Sequence, residues 1–360
     1  MKKIFFSIVA LAALAACTKS EVAYEASAEI GFAPAVKNVT KAAMASGTLL
    51  ANNPDQQLGI WAYWNYDGTA ILGSHTVSYL NDATFGKKTA TLADNTQVTA
   101  WGGVGYAYPW PTNGTLRFAG YTKPASAESV TYSGVADDNI TFTKYTQTNG
   151  YDLCWFKTTP EYNNRTTGDA IEVTLSHALA WLTFNIKGQG TVGWKINSIV
   201  LNDIASVGTG VCHGEGADAA QWTCEESSYT TDMSLRSTEL VLTDQFVDIE
   251  NGAKNFVVIP QTLNAGNQAD NVRTQHTLTI NYSFPVGDPN VAANWKSDSR
   301  VVKLDLAANY GDAGTNEDPV ENRWKSGVHY TYNLTFKATE ILVAPSYGDW
   351  ATSDQSVTVE

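Results

Sequence analysis

The feature that most constrains what this chain can fold into is the period of its apolar residues, which recur at every second position in segment after segment. Gly, Asn, Asp and Thr punctuate these segments, the pattern of short, half-buried strands in antiparallel sheets, and helical 3.6-residue spacing is nearly absent. Tyr24, Ala26, Ala28, Ile30 and Phe32 alternate with Glu25, Ser27, Glu29 and Gly31, so a first strand presents one apolar and one polar face. Further strands are predicted over 58–66, 117–121, 140–143 and 172–186, followed by a Gly-rich break at 188–193. Strands return over 194–201, 238–242, 255–259, 275–284, 301–306, 330–336 and 357–359, while 39–54 loses the alternation. The expected fold is all-β, two antiparallel β-sandwich domains in series over 17–188 and 189–360. A chain of 360 residues can build two such cores without help from disulfides or metals.

The first sixteen residues are of a different kind. Lys2 and Lys3 precede an apolar run over 4–14, and the small residues Ala15 and Ala16 lead into Cys17, the layout of a signal peptide. The run is too short to span a membrane as a mature helix. A cysteine directly after Leu14, Ala15 and Ala16 resembles the bacterial lipobox, whose thiol is acylated before cleavage, so the mature chain is expected to begin at a lipidated Cys17. Several acyl chains hold a soluble domain stably at a bilayer, since each buried methylene contributes about 0.8 kcal/mol.

The formal charge is −13, and about −15 without the two leader lysines, a balance that repels phosphate backbones. Nucleic acid is not an expected partner. Cys154, Cys212 and Cys224 are an odd set with no Cys-x-x-Cys spacing. Cys212 and Cys224 could close one disulfide loop; read with His213 as metal ligands they lack a fourth, so neither a metal nor a cofactor is expected.

Catalytic signals are weak throughout. The five histidines, His75, His177, His213, His276 and His329, have no ligand spacing, and His177, in an alternating apolar strand, reads as a buried, hydrogen-bonded core residue. No nucleophile elbow, phosphate-cradling loop or dinucleotide fingerprint is present. Glu225 and Glu226 are adjacent, and neighbours along a strand point to opposite faces, which does not suit paired acid and base work. The chain is not expected to be an enzyme. Trp61, Tyr63, Trp64 and Tyr66 read as core aromatics, whereas Trp101, Tyr106, Tyr108 and Trp110, among glycines and prolines, could form a loop surface on which sugar rings stack.

The run Val173-Thr174-Leu175-Ser176-His177-Ala178-Leu179-Ala180-Trp181-Leu182-Thr183-Phe184-Asn185-Ile186 resembles the central strand pair of the Bacteroidales fimbrillins, lipoprotein-derived subunits of type V pili. Leu58-Gly59-Ile60-Trp61-Ala62-Tyr63 is similar to an early core strand of that family. Trp110-Pro111 with Leu116-Arg117-Phe118-Ala119-Gly120-Tyr121 and Tyr151-Asp152-Leu153 are similar to the landmarks that follow. Ile259-Pro260-Gln261, the stretch from Trp324 through Gly327 and Tyr330 to Leu334, and Asp349-Trp350 resemble its late motifs. Each is short, but together they follow the family order over nearly the whole mature chain.

The resemblance implies two transthyretin-like sandwiches, export to the outer membrane as a lipoprotein, and a role as a structural subunit of a surface fimbrium or as a fimbrium-associated adhesin, assembled with other subunits by donor-strand exchange. A protease would remove the first strand (24–41), emptying the groove filled by Tyr24, Ala26, Ala28, Ile30 and Phe32, and a neighbour's strand would refill it. Ile341 and Val343, then Val357 and Val359, are the candidate donor residues. The best-known family pattern is a cut after arginine, but the first arginine here is Arg117, inside a core-like strand, so Lys41 and then Lys37 are the candidate cleavage points. Surface glycans or proteins of host or bacteria are further expected partners. A monomeric outer-membrane lipoprotein that captures glycans is the alternative.

Overall fold

A computed structural model of the chain describes residues 28–349 apart from 37–56, 67–75, 92–96, 124–125, 148–150, 160, 164–168, 215–218, 230, 250–255, 264–265, 268–271, 274–275 and 305–322. Cys17, Tyr24, Ala26, Lys37, Lys41, Val357 and Val359 therefore lie outside the described residues. The first half carries β1 (Gly31–Val36), β2 (Gln57–Asn65), β3 (Thr76–Thr91), β4 (Gln97–Gly103), β5 (Thr115–Lys123), β6 (Ser129–Tyr132), β7 (Ile140–Thr146), β8 (Cys154–Lys157) and β9 (Ile171–His177). The second half carries β10 (Ala180–Gln189), β11 (Lys195–Ile204), β12 (Val207–Cys212), β13 (Ala220–Cys224), β14 (Thr231–Arg236), β15 (Leu240–Val241) and β16 (Val247–Asp248). It continues with β17 (Phe256–Val258), β18 (Gly266–Asn267), β19 (Val272–Arg273), β20 (Thr277–Pro285), β21 (Trp295–Lys303), β22 (Val328–Lys337) and β23 (Ile341–Asp349). The helical elements among the described residues are the 3-10 turns Glu226–Ser228 and Ala292–Asn294. The chain is all-β, as its two-residue period requires.

In the first half, β2 sits between β3 and β5 with long antiparallel ladders, and β3 continues to β4. β1 runs parallel to β9 over five positions. Short seams join these layers: two positions between β1 and β4, three between β5 and β8, two between β8 and β9. Pairing thus runs around all seven strands, enclosing a sandwich-like core of Phe32, Leu58, Ile60, Phe85, Phe118, Phe156, Ile171 and Val173 among others.

In the second half one sheet has the order β16-β10-β22-β23 and the other β14-β11-β20-β21. Leu182, Phe184 and Ile186 of β10 and Tyr332, Leu334 and Phe336 of β22 meet Ile196, Ile199 and Leu201 of β11 and Leu278 and Ile280 of β20. Both sheets contribute alternate residues to one core, which makes this half a sandwich.

The predicted strand over 172–186 is in fact two strands, and the reason is a change of face. Residues 171, 173, 175 and 177 are buried along β9, whereas 182, 184, 186 and 188 are buried along β10. Ala178 and Leu179 absorb the switch: the Ala178 N–H donates to the Leu153 carbonyl and the Gly327 N–H to the Leu179 carbonyl. One residue of slip moves a side-chain set to the other face, so the chain leaves the first core there and enters the second. The expected boundary at Gly188 falls near the far end of β10.

The halves are not separate beads. The sheet β13-β12-β7-β6 takes two strands from each side. A third buried cluster, with Trp61, Tyr121, Phe142, Tyr145 and Trp155 from the first half and Trp181, Ala220, Val257 and Ile259 from the second, fills the space between the cores.

Candidate functional site

The amino-terminal strand is the first place where this architecture does something a simple sandwich need not. Ile30 and Phe32 are both 0% exposed, and Ala28 is half-buried against the same core. The Phe32 ring stands edge-on to Phe85 at 5.1 Å and to Phe118 at 5.2 Å, with Phe156 at 6.0 Å. Burying each such side chain stabilises by roughly 1.5–3 kcal/mol. Main-chain bonds extend the hold: the Ile30 N–H donates to the Tyr108 carbonyl (2.8 Å), and the Trp110 N–H donates to the Ala28 carbonyl (3.0 Å). Beyond Phe32 the pairing with β4 stops, and Ala33 to Val36 pair with β9 on one edge. Pro34, which has no N–H to offer, falls in that one-sided stretch, where a proline is tolerated.

The carboxyl-terminal strand is held differently. β23 pairs with β22 over nine positions, from Val328 opposite Asp349 to Phe336 opposite Ile341. Ile341 and Val343 are half-buried against the second core, while Leu342 is 45% exposed. Among the described residues β23 is the edge of its sheet, and it too carries a proline, Pro345.

Arg117 lies within β5; its Nη2 donates to Asp138 Oδ2 (2.9 Å) and its Nε to the Thr158 carbonyl (2.8 Å). The possible bridge between Cys212 and Cys224 is corrected by the ladder of β12 and β13. Cys212 stands opposite Ala220 and Cys224 opposite Gly208, about 14 Å along the strands, against the 7 Å or so that a disulfide spans. Both are free thiols. Burial pushes the Cys212 thiol up well beyond the ordinary thiol range and the Cys224 thiol up to about 11, so neither is a reactive thiolate.

The aromatic groups separate as well. Trp61 is buried and stacked on Tyr121 at 5.3 Å, as a core residue should be. The loop group is mostly not a surface: Trp101 and Trp110 belong to the first core and Tyr108 stacks on Phe85 at 5.4 Å. Tyr106 alone of the four is open, at 61% exposure.

Sequence reading missed one constellation. Asp152, two residues before Cys154 opens β8, and Cys154 itself meet His177 across the seam where Cys154 pairs with it. The imidazole Nδ1–H donates to Asp152 Oδ2 (2.9 Å), the Cys154 thiol donates to the same oxygen (3.3 Å), and Cys154 Sγ lies 3.6 Å from His177 Nδ1. All three are buried. Thiol and carboxylate both approach Nδ1, so the trio lacks the order in which an imidazole relays a proton between opposite ring nitrogens. Tyr151-Asp152-Leu153 and His177 stood out in the sequence as separate landmarks; only the register of β8 on β9 joins them.

The comparisons give the family. The fimbrillin-like profile matches residues 40–350, and the chain is a member of the fimbrillin-like family, a structural and non-catalytic class. A prokaryotic membrane lipoprotein lipid attachment site matches residues 1–18, which include Cys17, so this fimbrillin is a lipoprotein of the outer-membrane surface. No curated protein sequence matches the chain significantly. Among solved structures the fold is similar to a fimbrial protein from Bacteroides vulgatus, with 16% identity, 90% of this chain and 99% of that one covered, and a TM-score of 0.55. A candidate cell adhesion protein from Bacteroides uniformis (14% identity, 89% and 98% covered, TM-score 0.46) and a fimbrial assembly protein from Parabacteroides distasonis (10%, 93% and 99%, 0.41) also align.

Proposed function

We propose that this fimbrillin is a stalk-type subunit that polymerises by donor-strand exchange between two transthyretin-like sandwich domains of neighbouring copies or related subunits. The observation that carries the reading is the complete burial of Phe32, where β1 lies between β9 and β4, and of Ile30 just before β1. Cutting the chain after Lys41, or after Lys37, would release that strand and leave Phe85, Phe118 and Phe156 facing water, together with two unpaired strand edges. A replacement strand with the same alternation, running parallel to β9 and antiparallel to β4, would refill the groove. Val357 and Val359 are better donors than Ile341 and Val343, because the latter already occupy a nine-position ladder in their own sheet. The lipid on Cys17 would hold the precursor at the outer membrane until the cut frees it.

The test is intact-mass and amino-terminal analysis of the protein from its native cell surface, beside electrophoresis of unheated samples. A start at Ala42 or Asn38 with a ladder of multimers is expected. An acylated start at Cys17 with monomer alone would sink polymerisation. It would favour the second reading, glycan capture by an uncut monomer, to which exposed Tyr106, 5.0 Å from Tyr108, lends one stacking ring.

A further inference from the structure

We propose that Asp152, Cys154 and His177 form a three-ligand binding site for one divalent transition ion of the zinc type, at the seam between β8 and β9, with the fourth position of the tetrahedron left to a water molecule. The spacing of the three ligand atoms lies close to the edges of a zinc tetrahedron. Zinc binds thiolate sulfur at about 2.3 Å and imidazole nitrogen or carboxylate oxygen at about 2.0–2.2 Å, so a tetrahedron has edges of about 3.5 Å from sulfur and about 3.4 Å between nitrogen and oxygen. The observed edges are 3.6 Å (Sγ to Nδ1), 3.3 Å (Sγ to Oδ2) and 2.9 Å (Nδ1 to Oδ2). Only the last has to open, by about half an ångström, when the ion replaces the shared proton.

Three further observations agree. The side chain of Asp152 is 0% exposed and its Oδ1 has no hydrogen-bond partner among the described residues, an expensive arrangement for a carboxylate unless a cation is near. One thiolate, one carboxylate and one neutral imidazole around a doubly charged ion sum to zero charge, which is what burial demands. One sulfur and one nitrogen donor select the zinc class over calcium and magnesium, which take oxygen ligands.

The scaffold is rigid where it needs to be. The Cys154 N–H donates to Thr122 Oγ1 (2.9 Å), and the Ala178 N–H donates to the Leu153 carbonyl (2.8 Å), fixing the backbone on both sides of the ligands. On binding, the Cys154 thiol releases its proton to solvent and the imidazole carries its proton on Nε2 instead of Nδ1, so Sγ and Nδ1 coordinate the ion while the ring stays neutral. The ion would staple a seam that otherwise rests on two paired positions, independently of whether the amino-terminal strand is ever exchanged.

The experiment uses the full mature chain, purified without chelator, and titrates it with cobalt(II) and then zinc. One equivalent of ion per chain is expected, with a thiolate-to-cobalt charge-transfer band and the visible absorption of tetrahedral cobalt, both lost as zinc displaces it. Cys154→Ser should abolish the charge-transfer band and weaken binding by about 100-fold or more, as should His177→Gln in affinity. Cys212→Ser and Cys224→Ser should leave the band unchanged. A wild-type chain that takes up no cobalt, or a thiolate band that survives Cys154→Ser, would overturn the site. The wild-type spectrum decides even if the variants fold poorly.

Discussion

The two end strands of the described chain, β1 and β23, look alike on paper and are held by opposite means. Each carries a proline, and each has a backbone edge that is unpaired over part or all of its length among the described residues. β1 pairs over five positions on one side and two on the other, yet its Phe32 and the preceding Ile30 are completely buried in the first core. β23 pairs over nine positions on a single side and buries Ile341 and Val343 only halfway. The first is a plug held by its side chains; the second is an edge held by its backbone. Removing a plug opens a core, whereas removing an edge strand exposes another edge, so only the first creates a strong drive to be refilled.

The sharpest way to break that distinction is Phe32→Ala. Truncating a buried phenylalanine leaves a cavity between Phe85, Phe118 and Phe156 and should destabilise the first core by about 3–5 kcal/mol. Amide hydrogen exchange should show lost protection in β1, β4 and β9 with β22 and β23 little changed. Equal loss across both halves would mean that the cluster joining the two cores makes them one cooperative unit.

Acid should act on the opposite end. Burial pulls the His276 imidazole down from its ordinary 6.5 to about 4, since desolvation disfavours the cation. The unfolded chain therefore takes up the proton first as pH falls. The stability that depends on a neutral His276 is complete above about pH 6.5 and is lost between about 6.5 and 4, on the order of 3 kcal/mol by the lower limit. His329, on β22 opposite Gly348 of β23, is also lowered to about 4 by burial. Exchange measured at pH 7 and pH 5, corrected for intrinsic rates, should loosen β20, β22 and β23 while β1 keeps its relative protection. His276→Gln should flatten that dependence. Uniform loosening would assign the acid response elsewhere.

The sequence made the strands of both cores legible because their period is two and their outward residues are polar: β2, β5, β7, β11, β20 and β22 fall where the alternation places them. It failed where alternation carries other information. The switch of buried parity at Ala178 and Leu179 looks like continuous strand until two cores exist to separate its faces. β3 and the first part of β21, before the predicted 301–306, hide because Lys87 and Lys88 in the one, and Lys296, Asp298 and Arg300 in the other, charge the strand as exposed strands are charged. The plug was legible from Ala28, Ile30 and Phe32. The contact of Asp152 and Cys154 with His177 was not, since a cross-strand pair more than twenty residues apart depends on register, which no local pattern encodes. Cys212 and Cys224 misled for the same reason.

Two smaller effects sharpen the comparison further. Val343→Ala removes half-buried apolar surface and should cost about 1 kcal/mol, seen as faster exchange confined to β22 and β23. A loss as large as that of Phe32→Ala would make β23 a second plug. The weakest expected effect tests whether charge contributes to holding the amino-terminal strand. Lys88 Nζ reaches Glu29 Oε1 at 2.8 Å just before β1 begins, with 45% and 19% of the two side chains exposed. An ion pair that open is screened and contributes at most about 1 kcal/mol. Glu29→Gln should therefore shift β1 protection by less than tenfold, and raising the salt concentration should shrink even that difference. If the variant instead frees β1 as fully as Phe32→Ala does, the strand is clamped by its surface charge and its apolar side chains are passengers. The groove would then have little drive to be refilled, and the distinction between plug and edge would lose its basis.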